Sequence, residues 1–296
     1  MALHERALSW TLGPDALVGV LAEPAGDACD LGVVVVVGGP QCRSGSHRMF
    51  TLLARALARQ GHTSLRFDVR GMGDSSGAQR SFEQLSEDIG SAIDVLMREC
   101  PQLQGVVLWG LCDGASAALL YADETGDARV RGMCLANPWV RSEATQARTQ
   151  IRHYYGARLR DPAFWRKLLR GGVGLAALRG WWQARSAARA AVAPAAQPGF
   201  QARMARGWAR LPVPRLLLMS GKDYTAREFD ELAALDRDWG ARLKAPLLQR
   251  VDLAQADHTF SDPKDLEAAW QACAQWLARL ARLAQRPSMD RQAGTR

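Results

Sequence analysis

The sequence has no cysteines paired at metal or redox spacing. Cys29, Cys42, Cys100, Cys112, Cys134 and Cys273 are scattered, with no CxxC or CxxxC among them. That excludes a zinc ribbon and a dense disulfide framework, and most of these thiols are expected to be reduced and buried. No residue pattern calls for a metal or a cofactor. Long hydrophobic runs are missing too: the purest, Val33 to Val37, is far shorter than the ~20 residues a membrane helix needs. No early segment has the layout of a signal peptide. A soluble, cytoplasmic protein without stable membrane insertion is expected. Acidic residues are scarce in one stretch. Arg141 to Arg210 holds 14 Lys and Arg against only Glu143 and Asp161, a net +12 that leaves −4 for the rest of a chain whose total is +8. No recognition-helix, zinc or aromatic RNA-binding pattern accompanies this charge, so nucleic acid is not the expected partner.

What is present is enough for one large domain: 296 residues, 48% of them hydrophobic. Residues 6 to 22 alternate loosely around Pro14-Asp15, which suits an antiparallel strand pair at a sheet edge. Val33 to Val37 is β-branched throughout, as in a strand buried on both faces. Strands at Thr63 to Phe67, Gly105 to Trp109 and Gly132 to Ala136 then alternate with helices at Met49 to Gln60, Glu83 to Arg98 and Asp113 to Tyr121. The rhythm stops at Asn137 and returns with strand Arg215 to Met219, a helix from about Ala226 to Trp239, strand Leu247 to Val251 and a last helix, Lys264 to Leu283. This predicts an α/β fold with a mainly parallel sheet flanked by helices. Residues 1–136 and 215–283 form its core, 137–214 an inserted basic helical cap, and 284–296 a disordered tail.

In such sheets chemistry gathers beyond the carboxyl ends of the strands. A search for G-x-S-x-G finds Gly73 to Gly77, but Ser75 lacks a strand immediately before it and a helix immediately after it. Gly110-Leu111-Cys112-Asp113-Gly114 has both. A sharp strand-to-helix turn brings backbones close and forces an unusual dihedral on its central residue, which explains the small residues at 110 and 114. A thiol there sits at a helix amino end, where the thiolate is favoured. Cys112 is therefore the candidate nucleophile.

His258, in ADHTFSD after the last strand, is the candidate base; His4, His62 and His153 are worse placed. Asp223, in SGKDYTA, follows a strand and is the candidate acid orienting the imidazole, the alternative being a simple helix cap. Asp257, next to His258, is a poorer orienter. Oxyanion donors are expected from the Asp113 amide and from the loop after Val33 to Val37; Pro40 has no N–H, so Gln41 is the first choice and Gly39 the second. His47 and Arg48, beyond that loop, are candidate substrate contacts.

The order nucleophile, acid, histidine matches α/β-hydrolases, and nearly the whole chain outside the cap resembles that superfamily in GGPQ (38–41), FDVRGMGDS (67–75), GLCDG (110–114), SGKD (220–223) and ADHTF (256–260). VVGGPQCRSGSHR with RFDVRGMGDSSG and WGLCDGAS is more narrowly similar to the exosortase A system-associated hydrolases of type 1, which implies a role beside bacterial exopolysaccharide and protein-sorting systems. Cysteine in place of serine resembles the nucleophile of dienelactone hydrolases and polyhydroxyalkanoate synthases. The expected activity is hydrolysis of an ester or thioester through an acyl-cysteine. Acyl transfer from the same intermediate and a non-catalytic binding module are the alternatives. The basic segment points to an anionic small-molecule acyl donor: an acyl-coenzyme A, an acyl carrier protein or an acidic glycolipid.

Overall fold

The computed structural model describes residues 2–141 and 199–284. Eight strands form one sheet: β1 (Leu3–Leu12), β2 (Asp15–Pro24), β3 (Leu31–Val36), β4 (Ser64–Phe67), β5 (Gly105–Leu111), β6 (Val130–Ala136), β7 (Arg215–Ser220) and β8 (Leu248–Leu253). Their spatial order is β1-β2-β4-β3-β5-β6-β7-β8. β2 runs antiparallel to both β1 and β4, and every later pairing is parallel. The loose alternation near the start thus becomes the antiparallel edge, and the apolar runs become the interior, with β3, β4, β5 and β7 buried along their whole length.

Helices α1 (Met49–Arg59), α2 (Ser86–Glu99) and α3 (Asp113–Thr125) follow β3, β4 and β5, and α7 (Pro263–Ala284) follows β8. On one face Met49, Phe50, Leu53 and Leu57 of α1 and Cys273, Trp276 and Leu280 of α7 join Val33, Val35, Val107, Trp109 and Leu216 in a single buried cluster. Burying a large side chain of this kind stabilises by about 1.5–3 kcal/mol. α2 and α3 pack on β3 and β5. Among the described residues no helix is long and apolar enough to cross a membrane. Three of the six free cysteines are buried, Cys100, Cys134 and Cys273, while Cys42 is exposed and Cys29 and Cys112 are half-buried.

One detail differs from the sequence reading. The single helix expected to Trp239 is two, α5 (Tyr224–Leu235) and α6 (Arg237–Arg242). Asp236 leaves helical geometry (φ −100°, ψ 118°) and its carboxylate caps the second helix through the amides of Asp238 and Trp239. α4 (Phe200–Arg210) lies inside the stretch expected as the insertion, and its residues 202–210 group with the sheet. Arg215, 4% exposed, explains this. Its guanidinium lies 4.5 Å over the Trp208 ring and donates to the Trp208 and Leu211 carbonyls, so the cation opening β7 is held by the end of α4. Burial drops its pKa to about 10. Helix-end carbonyls answer such a charge. Three arginines of the basic stretch are also committed here, Arg206 to Asp123 at 2.8 Å, Arg203 to Glu83 at 3.4 Å and Arg210 to the Asp123 carbonyl. The helical character expected for the insertion, and the tail beyond Ala284, lie outside the described residues.

Candidate active site

Only Cys112 separates the end of β5 from the start of α3. Its backbone stands at φ 58°, ψ −124°, a region costing a non-glycine residue about 1–3 kcal/mol. The surroundings hold it there: its amide donates to the Ala136 carbonyl at 2.9 Å, and its own carbonyl accepts from Ala115 at 3.1 Å and Trp139 at 3.2 Å. A Cβ on Gly110 would stand 2.5 Å from the Ala115 nitrogen, and one on Gly114 would be driven into the Val36 carbonyl oxygen. The turn is therefore possible only with the small residues found there.

β7 and β8 deliver the other two groups to the same edge. Asp223, 6% exposed, is the N-cap of α5 and accepts from the Thr225 amide at 3.0 Å and the Ala226 amide at 3.3 Å. The same carboxylate receives His258 Nδ1 at 2.8 Å. The carboxylate makes all three contacts at once, because it has acceptor sites enough for two amides and a ring N–H. With Nδ1 committed, Nε2 is left for the other partner of the imidazole, the Cys112 side chain. The hydrogen bond to Asp223 first, then that to Cys112, hold the His258 pKa up at about 10 against the opposing effect of burial. Asp257 is turned away onto its own loop, accepting from the Thr259 and Ser261 amides at 3.1 and 2.9 Å.

The loop after β3 closes the third side. The Gln41 amide donates to the Gly39 carbonyl at 2.8 Å and is thereby used inside the loop. The Gly39 amide instead meets the Asp113 carboxyl, which also accepts from the Gly114 amide. Burial is the largest influence on that carboxyl and raises its pKa; the amides pull the other way. His47 and Arg48 are exposed, at φ 52° and 60°. His47 is close enough to Asp257 to help lower its pKa, an effect smaller than that of the Ser261 hydroxyl. Among the described residues no group of three His, Cys, Asp or Glu side chains is arranged to hold a metal.

The profile of the alpha/beta hydrolase family matches residues 33–288. The chain belongs to that family. No curated protein sequence matches it significantly. Among solved structures it is similar to an esterase of Pyrococcus furiosus, with 16% identity, coverage of 94% of this chain and 93% of the other, and a TM-score of 0.62. It is also similar to an alpha/beta hydrolase of Penicillium (19%, 94% and 99%, 0.61) and to a dienelactone hydrolase of Anabaena variabilis (17%, 94% and 97%, 0.58). At these identities the likeness is one of fold.

For this α/β-hydrolase chain the structure adds residues the sequence reading passed over. Asn137, wholly buried at φ 44°, follows β6; its side chain donates to Ser220 Oγ at 2.9 Å and to the His258 carbonyl at 3.2 Å, and accepts from the Ser220 amide at 2.8 Å. It thus joins the ends of β6 and β7 to the histidine loop. Asp68, also wholly buried, follows β4 and binds the Arg43 amide at 2.6 Å, the Arg43 guanidinium, and the Asp74 amide at 3.0 Å, anchoring the loop after β3. Both stand just past a strand end, the signal that singled out Asp223 and His258. Neither has a motif around it that names a partner.

Proposed function

We propose that the protein is an acyl hydrolase that cleaves an ester or thioester through a covalent intermediate on Cys112, with His258 as acid and base and Asp223 as its orienting carboxylate. The observation that supports this most is the 2.8 Å bond from Asp223 to His258 Nδ1, with the Cys112 side chain as the imidazole's other partner. A nucleophile, a base within reach and a third group fixing the base are the requirements for covalent acyl transfer.

In the proposed cycle the Cys112 thiolate attacks the substrate carbonyl and forms a C–S bond, pushing the carbonyl electrons onto oxygen. The Asp113 amide and one amide of the 38–41 loop are the donors for that oxyanion; the Gln41 amide is bonded to the Gly39 carbonyl, and the Gly39 and Asp113 amides meet the Asp113 carboxyl, which must turn away to release them. Collapse expels the leaving alcohol or thiol, which takes the proton from the His258 imidazolium. His258 then removes a proton from water, the hydroxide attacks the acyl-cysteine, and the acid leaves as the proton returns to sulfur. Water is the acceptor in this reading. An amine or a sugar hydroxyl would make the same intermediate a donor for acyl transfer.

His47 and Arg48, both exposed, are the proposed contacts for the substrate beyond the scissile bond. The similarity of residues 36–48 to exosortase A system-associated hydrolases supports a cytoplasmic role beside exopolysaccharide assembly, with an anionic acyl donor. The decisive experiment is intact-mass analysis after rapid mixing with p-nitrophenyl acetate. One acetyl group per chain is expected, removed by hydroxylamine and absent in Cys112→Ala. A Cys112→Ala protein that is still acetylated and still turns the ester over would overturn the reading.

A further inference from the structure

Behind the Gly38–Gln41 loop lies a cavity of about 180 Å³, lined among others by Val69, Met72, Phe82, Leu85, Arg80 and Asp113. Its walls are mixed: Val37, Val69, Met72, Phe82 and Leu85 are apolar, Gln79, Ser81 and Asp113 are polar, and Arg80 is the cation among them. The Arg80 Nε is buried and has no hydrogen-bond partner, and among the described residues no carboxylate forms an ion pair with this guanidinium. The nearby acid Glu87 is bound to Arg70 at 2.6 Å and feels Arg80 only as a smaller charge attraction. Asp113 does not answer the charge either. Its carboxyl is pressed onto the loop, close enough that a Cβ on Gly38 would collide with Oδ1, and it accepts from the Gly39 and Gly114 amides.

A buried donor left without an acceptor is unfavourable, and a guanidinium edge offering Nε and one Nη matches a carboxylate through two parallel hydrogen bonds. In volume alone the cavity is large enough for a short chain, since roughly 150 Å³ accepts a benzene ring. It borders Gly39 and Asp113, the neighbours of Cys112 in the proposed oxyanion site, while Cys112 itself does not line it.

We propose that this cavity is the acyl subsite and takes a short dicarboxylic half-ester or half-thioester, with the free carboxylate on Arg80. The assignment rests on the acyl-hydrolase reading given above, and two measurements on the full chain keep them separable. The first compares kcat/KM for mono-p-nitrophenyl glutarate and p-nitrophenyl butyrate. The ratio is expected to fall at least tenfold in Arg80→Gln and to be partly regained in Arg80→Lys; an unchanged ratio in both variants overturns the subsite. The second titrates free glutarate into Cys112→Ala protein, with and without Arg80→Gln. At least tenfold weaker binding in the double variant is expected, and equal binding overturns the subsite. If neither ester acylates Cys112 while glutarate binding still depends on Arg80, the subsite stands and the reaction falls. If both esters acylate Cys112 and neither measurement responds to Arg80, the reverse holds.

Discussion

Two turns in this chain have the same five-residue outline, Gly73 to Gly77 around Ser75 and Gly110 to Gly114 around Cys112. Ser75 is 8% exposed, and its hydroxyl is used twice, donating to the Asp68 carbonyl at 2.7 Å and accepting from the Val18 amide at 2.9 Å. It fastens the turn after β4 to the antiparallel strand β2. Cys112 stands instead at a positive φ at the head of a helix of 13 residues, with its side chain on His258. The same glycine spacing thus serves a stitch in one place and, in the other, presents the thiol proposed as nucleophile. What separates them is the secondary structure on either side: a strand running directly into a helix aims the central side chain at the sheet edge, whereas a loop lets it fold back onto backbone.

The largest expected break in this contrast is chemical. Cys112→Ala and His258→Ala should each lower kcat for a p-nitrophenyl ester by ~10⁴-fold or more, since removing one member of such a unit is nearly as damaging as removing all. Asp223→Asn should be about a hundredfold milder, because the reacting groups remain and only their orientation and charge partner change. It should also alter stability with a definite pH signature. The folded His258 pKa, about 10, lies above the ordinary value of 6.5, so protonated His258 stabilises the fold fully below pH 6.5 and loses this effect as the pH rises through 10. The melting-temperature gap between the parent protein and Asp223→Asn should therefore shrink steadily from pH 6.5 to 10; a gap that widens with pH would contradict the assigned pair.

Smaller effects probe the turns themselves. Gly114→Ala pushes a methyl group into the Val36 carbonyl and should cost about 1–3 kcal/mol in urea unfolding, with turnover lowered in the protein that remains folded. Ser75→Ala leaves a buried amide without its acceptor and should cost about 1–2 kcal/mol, with kcat/KM within about twofold of the parent. A large loss of kcat/KM in a stably folded Ser75→Ala protein would erase the contrast between the two turns.

The alternation of strand and helix, and the glycines at 110 and 114, were legible because local rules govern them: β-branched runs make buried strands, and a tight strand-to-helix turn admits only small neighbours. Positions such as Asp223 and His258 could be chosen because strand ends converge at one sheet edge. Which amide of the 38–41 loop is available could not be read, since it depends on a bond between Gln41 and the Gly39 carbonyl and on where the Asp113 carboxyl turns. That Arg206 and Trp208 of the Phe200–Arg210 helix meet Asp123 and Arg215 was not legible either, since the stretch where the strand and helix rhythm stops shows arginine and tryptophan without naming their partners.

By itself the sequence determined the order of elements, the strained turn and the three residues proposed for chemistry, because each follows from the properties of a few consecutive residues. Tertiary structure alone decided that one carboxylate both caps a helix and holds the imidazole, that Asn137 ties the histidine loop to two strand ends, and that Arg80 lines a cavity with its buried Nε unpaired. Those facts depend on groups far apart in the chain meeting at hydrogen-bonding distance, and side-chain partners at such separations leave no periodic trace in the sequence.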